Sequence, residues 1–216
     1  FREGSPLVKA IPGFEQRPEQ LEMAQAVSEA INTSGRLIVE AGTGVGKSLA
    51  YLLPAVLYSI SNNRRVIVST NTINLQEQLL NKDIPALLQI LSNMEGVNTD
   101  TFTYTQLKGR ANYLCVRRWL QLRQNDTLSE PESRLLAKTM VWLQTTITGD
   151  KSELNLGHHD ASTPWERLSA QGGKDCLGLG GPCFLRSARD RATSSNVVVV
   201  NHALLLANLT SGGGLI

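Results

Sequence analysis

The amino-acid sequence predicts an α/β fold with a mainly parallel sheet and a helical, cysteine-bearing insertion. Three observations support this prediction. A glycine-rich turn at residues 41–48 separates a short apolar run from a helical segment. Short apolar strands alternate with helical segments through the first half of the chain, which is typical of βαβ units. Four valines at residues 197–200 follow a long helical stretch and are typical of a buried parallel strand.

Composition and charge restrict the class of protein. The chain has 216 residues, 41% of them hydrophobic, which suffices for one core of substantial size. Its net charge of +2 is too small to indicate a nucleic-acid partner by itself. The three cysteines are an odd number, which favours metal ligands or reduced thiols over disulfides. We expect a monomeric, cytoplasmic protein without membrane contact, because no apolar run approaches the roughly 18 residues that span a bilayer.

The first predicted helix begins at Pro18, after a lead-in that contains glycine and proline. Its apolar face is formed by residues at helical spacing, namely Leu21, Ala24, Val27 and Ile31. Arg17 and Gln20 lie at the start of this helix, upstream of the glycine-rich turn. Taken alone, an ordinary helix start is the better explanation of these two polar residues.

The glycine-rich turn is predicted to bind the phosphates of a nucleotide. It reads Ala41-Gly42-Thr43-Gly44-Val45-Gly46-Lys47-Ser48, follows a predicted strand at residues 37–39 and leads into a helix. The glycines let successive backbone N–H groups point at one anion, and the following helix adds its positive end. We expect Lys47 to reach the outer phosphates and the Ser48 hydroxyl to bind Mg²⁺.

A polar corner follows the second predicted strand, at residues 66–70. Thr70, Asn71 and Thr72 separate this strand from the helix that begins after them. Their side chains and the free N–H groups of the helix start are neutral donors of the kind that bind nucleic-acid phosphates. An N-cap without a ligand is the alternative interpretation.

A basic segment follows a third predicted strand at residues 100–104. Residues 108–124 contain five lysines and arginines and no acid. A helix with a cationic side is typical of contact with a nucleic-acid backbone, although a solvated basic face has the same pattern. The predicted contact residues are Lys108, Arg110, Asn112, Arg117 and Arg118.

Together these segments resemble the DinG/XPD-like iron–sulfur DNA helicases of superfamily 2. The turn has the A-x-x-G-x-G-K-S form of motif I, and residues 66–80, VIVSTNTINLQEQLL, are similar to motif Ia. Residues 108–115, KGRANYLC, and residues 198–205, VVVNHALL, are similar to two further segments of that family. The resemblance implies a RecA-like helicase domain 1, ATP-dependent unwinding of single-stranded or forked DNA, and a role in DNA repair. It also implies that Arg17 and Gln20 form a Q motif that contacts the adenine base.

The same resemblance implies a [4Fe–4S] cluster held by Cys115, Cys176 and Cys183. This set is one cysteine short of the usual four ligands. Zinc bound by three cysteines and a histidine is a weaker alternative, because the spacing of Cys176 and Cys183 exceeds that of a zinc knuckle. Three inert buried thiols are the remaining alternative.

The predicted domain boundaries follow from these motifs. Residues 1–108 form the first part of helicase domain 1, residues 109–190 the iron–sulfur-type insertion, and residues 191–216 the return to domain 1, ahead of a D-E-A-H motif. Without that motif we expect the chain to bind nucleotide but not to hydrolyse it. Two other functions stay open: a P-loop nucleotide kinase or GTPase, although no N-K-x-D motif occurs, and a non-catalytic nucleic-acid-binding module with a relic P-loop.

Overall fold

The computed structural model describes residues 17–154, 156, 163–172 and 182–213. Within these ranges the helices are α1 Pro18–Asn32, α2 Lys47–Asn62, α3 Ile73–Gln78, α4 Ile84–Leu91, α5 Val116–Arg123, α6 Glu130–Trp142, α7 Thr163–Leu168, α8 Phe184–Ser194 and α9 His202–Thr210. A π-helical turn, Leu79–Asp83, joins α3 to α4, and short 3-10 turns span Arg110–Asn112, Lys151–Leu154 and Ala170–Gly172. The strands are β1 Val66–Thr70, β2 Tyr104–Gln106 and β3 Val197–Asn201. None of these helices is long and apolar enough to cross a membrane.

The chain divides into two compact units. The first contains residues 1–106 and 194–206, and the second contains residues 107–193 and 207–216. The sheet lies in the first unit and has the order β1-β3-β2 with both pairings parallel. Valines 197 to 200 of the central strand are all fully buried, as expected for a strand covered on both faces. The predicted α/β fold with a parallel sheet is therefore confirmed.

The core of the first unit lies on one face of the sheet. Parallel pairing aligns Val68 with Val199, so that their side chains share that face. The fully or nearly buried residues of this core are Leu52, Val56, Val68, Leu79, Ile84, Leu87, Leu91, Val197 and Val199. Helix α2 therefore packs on the sheet through the residues that directly follow the glycine-rich turn, and this packing fixes where the turn lies.

Two predicted strands differ from the structure. Residues 37–39 lie outside all strands of the described sheet, and the Ile38 side chain is 98% exposed. A strand forms only where a neighbour accepts from its N–H groups and donates to its C=O groups, and none of the described strands runs beside this segment. The third strand begins at Tyr104 and not at residue 100. The Thr103 N–H donates to the Asn196 side chain at 2.9 Å, so it is not available for backbone pairing within the sheet.

The second unit has a separate helical core built around tryptophan. The Trp119 indole N–H donates to the Thr139 hydroxyl at 2.8 Å, which joins α5 to α6. The capping-box spacing of Ser129 and Glu132 is confirmed, since the Glu132 carboxylate accepts the Ser129 N–H at 2.9 Å. Glu132 also pairs with Arg167 of α7. The core residues are Leu114, Trp119, Leu122, Leu135, Leu136, Trp142, Trp165 and Leu168.

One buried side chain in the first unit lacks hydrogen-bond partners. Gln76 of α3 is fully buried, and neither its amide nitrogen nor its amide oxygen has a partner within the described residues. Because an unsatisfied buried amide costs about 1–3 kcal/mol, we expect Gln76→Leu to raise the free energy of unfolding by about 1 kcal/mol. Urea unfolding followed by far-UV circular dichroism measures this change.

Gln78→Leu on the same helix is the matched control. The Gln78 side chain is exposed and donates to the Asp83 carboxylate at 3.1 Å, so its replacement removes a satisfied amide. We expect no stabilisation from this variant. Equal effects of the two substitutions would show that general hydrophobicity, and not the unsatisfied amide, sets the stability.

Candidate nucleotide-binding site

The glycine-rich turn has the backbone conformation that its glycines permit. Gly44 and Gly46 have φ angles of +80° and +81°, a region that residues with a side chain rarely adopt. Helix α2 begins immediately afterwards, at Lys47, so the N–H groups of its first turn face the loop. A helix start that follows such a turn is suited to bind an anion.

The Lys47 side chain folds back over the turn. Its ammonium donates to the carbonyl oxygens of Ala41 at 2.9 Å and Gly42 at 2.7 Å. These two hydrogen bonds hold the positive charge of Lys47 beside the first turn of α2, which begins at the same residue. The arrangement joins a cation and free backbone donors in one loop, which is the chemistry that phosphate oxygens require.

Helix α1 is attached to the turn by two side chains. The Gln20 amide is nearly fully buried and donates to the Gly46 carbonyl at 3.0 Å, and Arg17 donates to the Gly44 carbonyl. The structure therefore brings both predicted Q-motif residues to the loop, where they contact its backbone. Their predicted contact with the adenine base stays a prediction.

The close approach of Gln20 makes Gly46 sensitive to substitution. A Cβ atom at Gly46 would lie 2.2 Å from the Gln20 amide nitrogen, and the φ angle of +81° would be strained as well. We expect Gly46→Ala to lower the free energy of unfolding by about 1–3 kcal/mol. Urea unfolding followed by far-UV circular dichroism measures the loss.

Two further variants separate the two causes. Adding Gln20→Ala to Gly46→Ala removes the steric contact but leaves the backbone strain, so we expect partial recovery. Gly42→Ala is the matched control within the same turn, because its Cβ would meet nothing within 4 Å. A loss at Gly42 as large as that at Gly46 would refute this explanation.

Ser48 already has a partner within α2. Burial raises the pKa of the Tyr51 phenol above its ordinary value, and a hydrogen bond with the Ser48 side chain opposes that rise. Ser48 and Tyr51 lie three positions apart and therefore share one side of the helix. The hydroxyl predicted to bind Mg²⁺ is thus oriented by a neighbouring side chain.

The polar corner after β1 is only partly as predicted. Thr70 is 2% exposed, and its hydroxyl donates to the Thr72 carbonyl at 3.1 Å. Its side chain closes the turn, and its predicted contact with nucleic acid stays a prediction. Thr72 caps α3 by accepting the Leu75 N–H at 3.2 Å, and Asn71 is exposed. For Asn71 and Thr72 the predicted contact stays a prediction.

A second pair of polar side chains lies beside this corner and was missed in the sequence. The Ser69 hydroxyl and the Nδ1 atom of His202 are 2.7 Å apart. They meet because β1 and β3 pair in parallel, with Thr70 opposite Asn201. Only the knowledge that these two strands are neighbours would have identified the pair.

Lys108, predicted to contact nucleic acid, has a structural role in the second unit. Its ammonium lies 2.7 Å from the Asp150 carboxylate, and the two side chains are 2% and 6% exposed. The Ser152 hydroxyl is a second partner at 3.2 Å. The pattern of positive charge does not reveal this buried carboxylate, which lies 42 residues later in the sequence, and the predicted contact of Lys108 with nucleic acid stays a prediction.

The other basic positions differ in exposure. Arg110 and Arg117 are exposed, whereas the Arg118 guanidinium donates to the Ser169 carbonyl at 2.6 Å and so joins α5 to the end of α7. The Asn112 amide donates to the Gly109 carbonyl at 3.1 Å and closes a 3-10 turn. Contact of these four residues with nucleic acid stays a prediction, and Arg110 and Arg117 are the most accessible.

The cysteines are described in part. Cys115 precedes α5 and Cys183 precedes α8, and both are half-buried free thiols of the second unit. Cys176 lies outside the described residues. Among the described residues no three His, Cys, Asp or Glu side chains are grouped as metal ligands.

Arg189 of α8 is the arginine whose pKa is influenced by Cys183. Burial lowers the pKa of Arg189, the nearby Arg110 lowers it further, and Cys183 opposes this shift.

Comparison with known proteins finds one family model and several relatives to which the chain is similar. The model of the DEAD/DEAH box helicase family matches residues 18–114. The chain is 39% identical over 209 residues to the ATP-dependent DNA helicase YoaA of Haemophilus influenzae, covering 94% of this chain and 30% of that protein. It is 38% identical over 217 residues to the ATP-dependent helicase DinG of Mycobacterium tuberculosis strain H37Ra, with coverages of 92% and 32%. A third relative, the 3'-5' exonuclease DinG of Bacillus subtilis, is 31% identical over 94% of this chain and 21% of its own length. The chain thus spans about a third or less of these relatives.

Proposed function

We propose that this chain, which is similar along most of its length to helicases named YoaA and DinG, supplies the ATP-binding part of an ATP-dependent DNA helicase. In the whole protein, ATP binding and hydrolysis would drive movement along single-stranded DNA and the unwinding of forked duplex.

One observation carries this proposal. The turn at residues 41–46 places two left-handed glycines and the Lys47 ammonium at the start of the 16-residue helix α2. This geometry supports a loop whose N–H groups bind the phosphates, with Lys47 neutralising the outer ones and Ser48 binding Mg²⁺. Arg17 and Gln20, which hold the loop, would lie close enough to contact the base.

The nucleic-acid side of the proposal rests on exposed donors. Asn71 and Thr72 follow β1 at the carboxyl edge of the sheet, where ligands of open α/β sheets bind. Arg110 and Arg117 of the second unit are exposed cations that would add charge-dependent affinity for the DNA backbone. These groups recognise phosphate and not sequence, as a protein that moves along DNA requires.

The cluster is a further part of the proposal. Cys115 and Cys183 of the second unit are thiols, the donor type that iron–sulfur clusters use, and Cys176 would be the third ligand. Such a cluster would stiffen a small helical unit. Anaerobic purification with iron and sulfide analysis tests this: about four irons per chain, lost in Cys115→Ala, would support it. An iron-free, colourless protein would refute it.

The experiment that tests the main proposal titrates the chain with a fluorescent ATP analogue and with a labelled oligo-dT strand. We expect Mg²⁺-dependent binding of ATP, competition by ADP, and separate binding of the single strand. Preference for GTP over ATP would favour the GTPase alternative. Strand binding without any nucleotide binding would favour the relic P-loop, and a lack of both would refute the proposal. Unwinding itself is measured on a forked duplex with the whole protein.

A further inference from the structure

The carboxyl edge of the sheet brings together two polar side chains that the proposed function does not yet use. Pairing of β1 with β3 sets Thr70 opposite Asn201. Ser69 comes one residue before this pair and His202 one residue after it. Their side chains meet at 2.7 Å, between the Ser69 hydroxyl and Nδ1 of His202. A hydrogen bond across 133 positions of sequence thus fixes the orientation of the imidazole ring.

This hydrogen bond leaves the other ring nitrogen available. Within the described residues, Nε2 of His202 has no hydrogen-bond partner, and the side chain is exposed. When the Ser69 hydroxyl donates to Nδ1, the proton of the neutral ring is on Nε2. In that tautomer Nε2 offers an N–H donor to the solvent, while the bond to Ser69 holds the ring in place.

The surroundings of His202 favour an anion over a cation. Residues 69–73 and 201–206, which form this corner, contain no aspartate or glutamate. Asn71 adds an exposed amide on the neighbouring strand end. Asn201 accepts the Leu204 N–H at 2.8 Å and so caps α9, which leaves the first N–H groups of that helix facing the same corner. These two segments thus supply several donors and no carboxylate of their own.

We propose that His202, oriented by Ser69 and assisted by Asn71, binds one backbone phosphate of a single-stranded nucleic acid. This inference rests on the proposed function and adds a contact at the start of α9 to the corner after β1. His202 is the contacting residue and Ser69 a positioning residue. A neutral donor is suited to a nucleic-acid backbone, which presents an equivalent phosphate at every nucleotide. The phosphates of ATP are assigned to the glycine-rich loop, so His202 is left for the nucleic acid.

The test compares the affinity for labelled oligo-dT, by fluorescence anisotropy, between the original chain and four variants. We expect His202→Ala to raise the Kd about three- to tenfold, as the loss of one neutral hydrogen bond implies. His202→Gln, which keeps an N–H donor, should recover part of the affinity, and Ser69→Ala should have a smaller effect than His202→Ala. Gln89→Ala, an exposed residue of α4, is the matched control and should bind like the original chain.

A second readout distinguishes a phosphate contact from a general structural effect. Oligonucleotides with one methylphosphonate at successive positions lack a single phosphate charge. At one position the methylphosphonate should weaken binding by the original chain. The same methylphosphonate should leave the affinity of His202→Ala unchanged. A uniform loss at every position in both proteins would overturn the inference.

The outcomes for the inference and for the proposed function differ. If the original chain binds oligo-dT and His202→Ala and Ser69→Ala bind it equally well, the inference is wrong and the proposed function stands. If His202→Ala weakens ATP binding and not strand binding, His202 serves the nucleotide and the inference is wrong. If the original chain binds neither ATP nor oligo-dT, the proposed function fails and the inference fails with it.

Discussion

Lys47→Ala is expected to weaken ATP binding by about tenfold to a hundredfold. The ammonium lies over the turn, bonded to the Ala41 and Gly42 carbonyls, and is the cation of this loop. A hydrogen bond to a charged group contributes about 1.5–3 kcal/mol, and 1.4 kcal/mol corresponds to a factor of ten in Kd. Titration with a fluorescent ATP analogue in the presence of Mg²⁺ measures the change.

Lys82→Ala is the control for this prediction. Lys82 is an exposed lysine of the same unit, in the π-helical turn after α3, and it lies outside the glycine-rich loop. Its removal changes the net charge by the same amount and should leave the ATP affinity unchanged. Far-UV circular dichroism verifies that both variants are folded. An unchanged ATP affinity in folded Lys47→Ala would mean that the loop is not the nucleotide site.

Lys108→Met is expected to destabilise the second unit by about 3–5 kcal/mol. The Lys108–Asp150 pair is almost fully buried at 2.7 Å, so the substitution leaves a buried carboxylate without its counter-ion. All three tryptophans, at positions 119, 142 and 165, lie in the second unit. Urea unfolding followed by tryptophan fluorescence therefore reports the stability of this unit.

Two variants test the cause of that loss. Lys108→Met combined with Asp150→Asn removes both charges, while the amide oxygen can still accept the Ser152 N–H that Asp150 accepts at 2.9 Å. We expect this double variant to recover most of the stability. Arg134→Ala breaks an exposed pair with Glu130 at 2.8 Å and should cost at most about 1 kcal/mol. A double variant as unstable as Lys108→Met would refute the uncompensated-charge explanation.

The sequence predicted the features that depend on local pattern. The start of α1 at Pro18, the bounds of β1 and the position of the glycine-rich turn ahead of α2 follow from proline geometry, β-branched residues and glycine spacing. These signals are local because each residue type restricts its own backbone.

The features that were missed depend on partners distant in the sequence. Residues 37–39 have the composition of a strand, but a strand needs a neighbour, and none of the described strands adjoins them. The sequence around Lys108 is typical of an exposed cation, and only the structure shows that the side chain is buried against Asp150. Ser69 and His202 become a pair only through the parallel register of β1 and β3. In each case a contact between residues distant in the sequence decides the structure, and the local preference of the residue type does not.

The exposed isoleucine ahead of the glycine-rich turn has a practical consequence for handling the protein. Leu37, Ile38 and Val39 present apolar side chains to solvent, and Ile38 does so almost completely. Exposed apolar side chains grouped in this way favour association between molecules. The isolated chain should therefore form soluble aggregates as its concentration rises. Its binding isotherms are best recorded at low micromolar concentration, with light scattering monitored in the same cuvette.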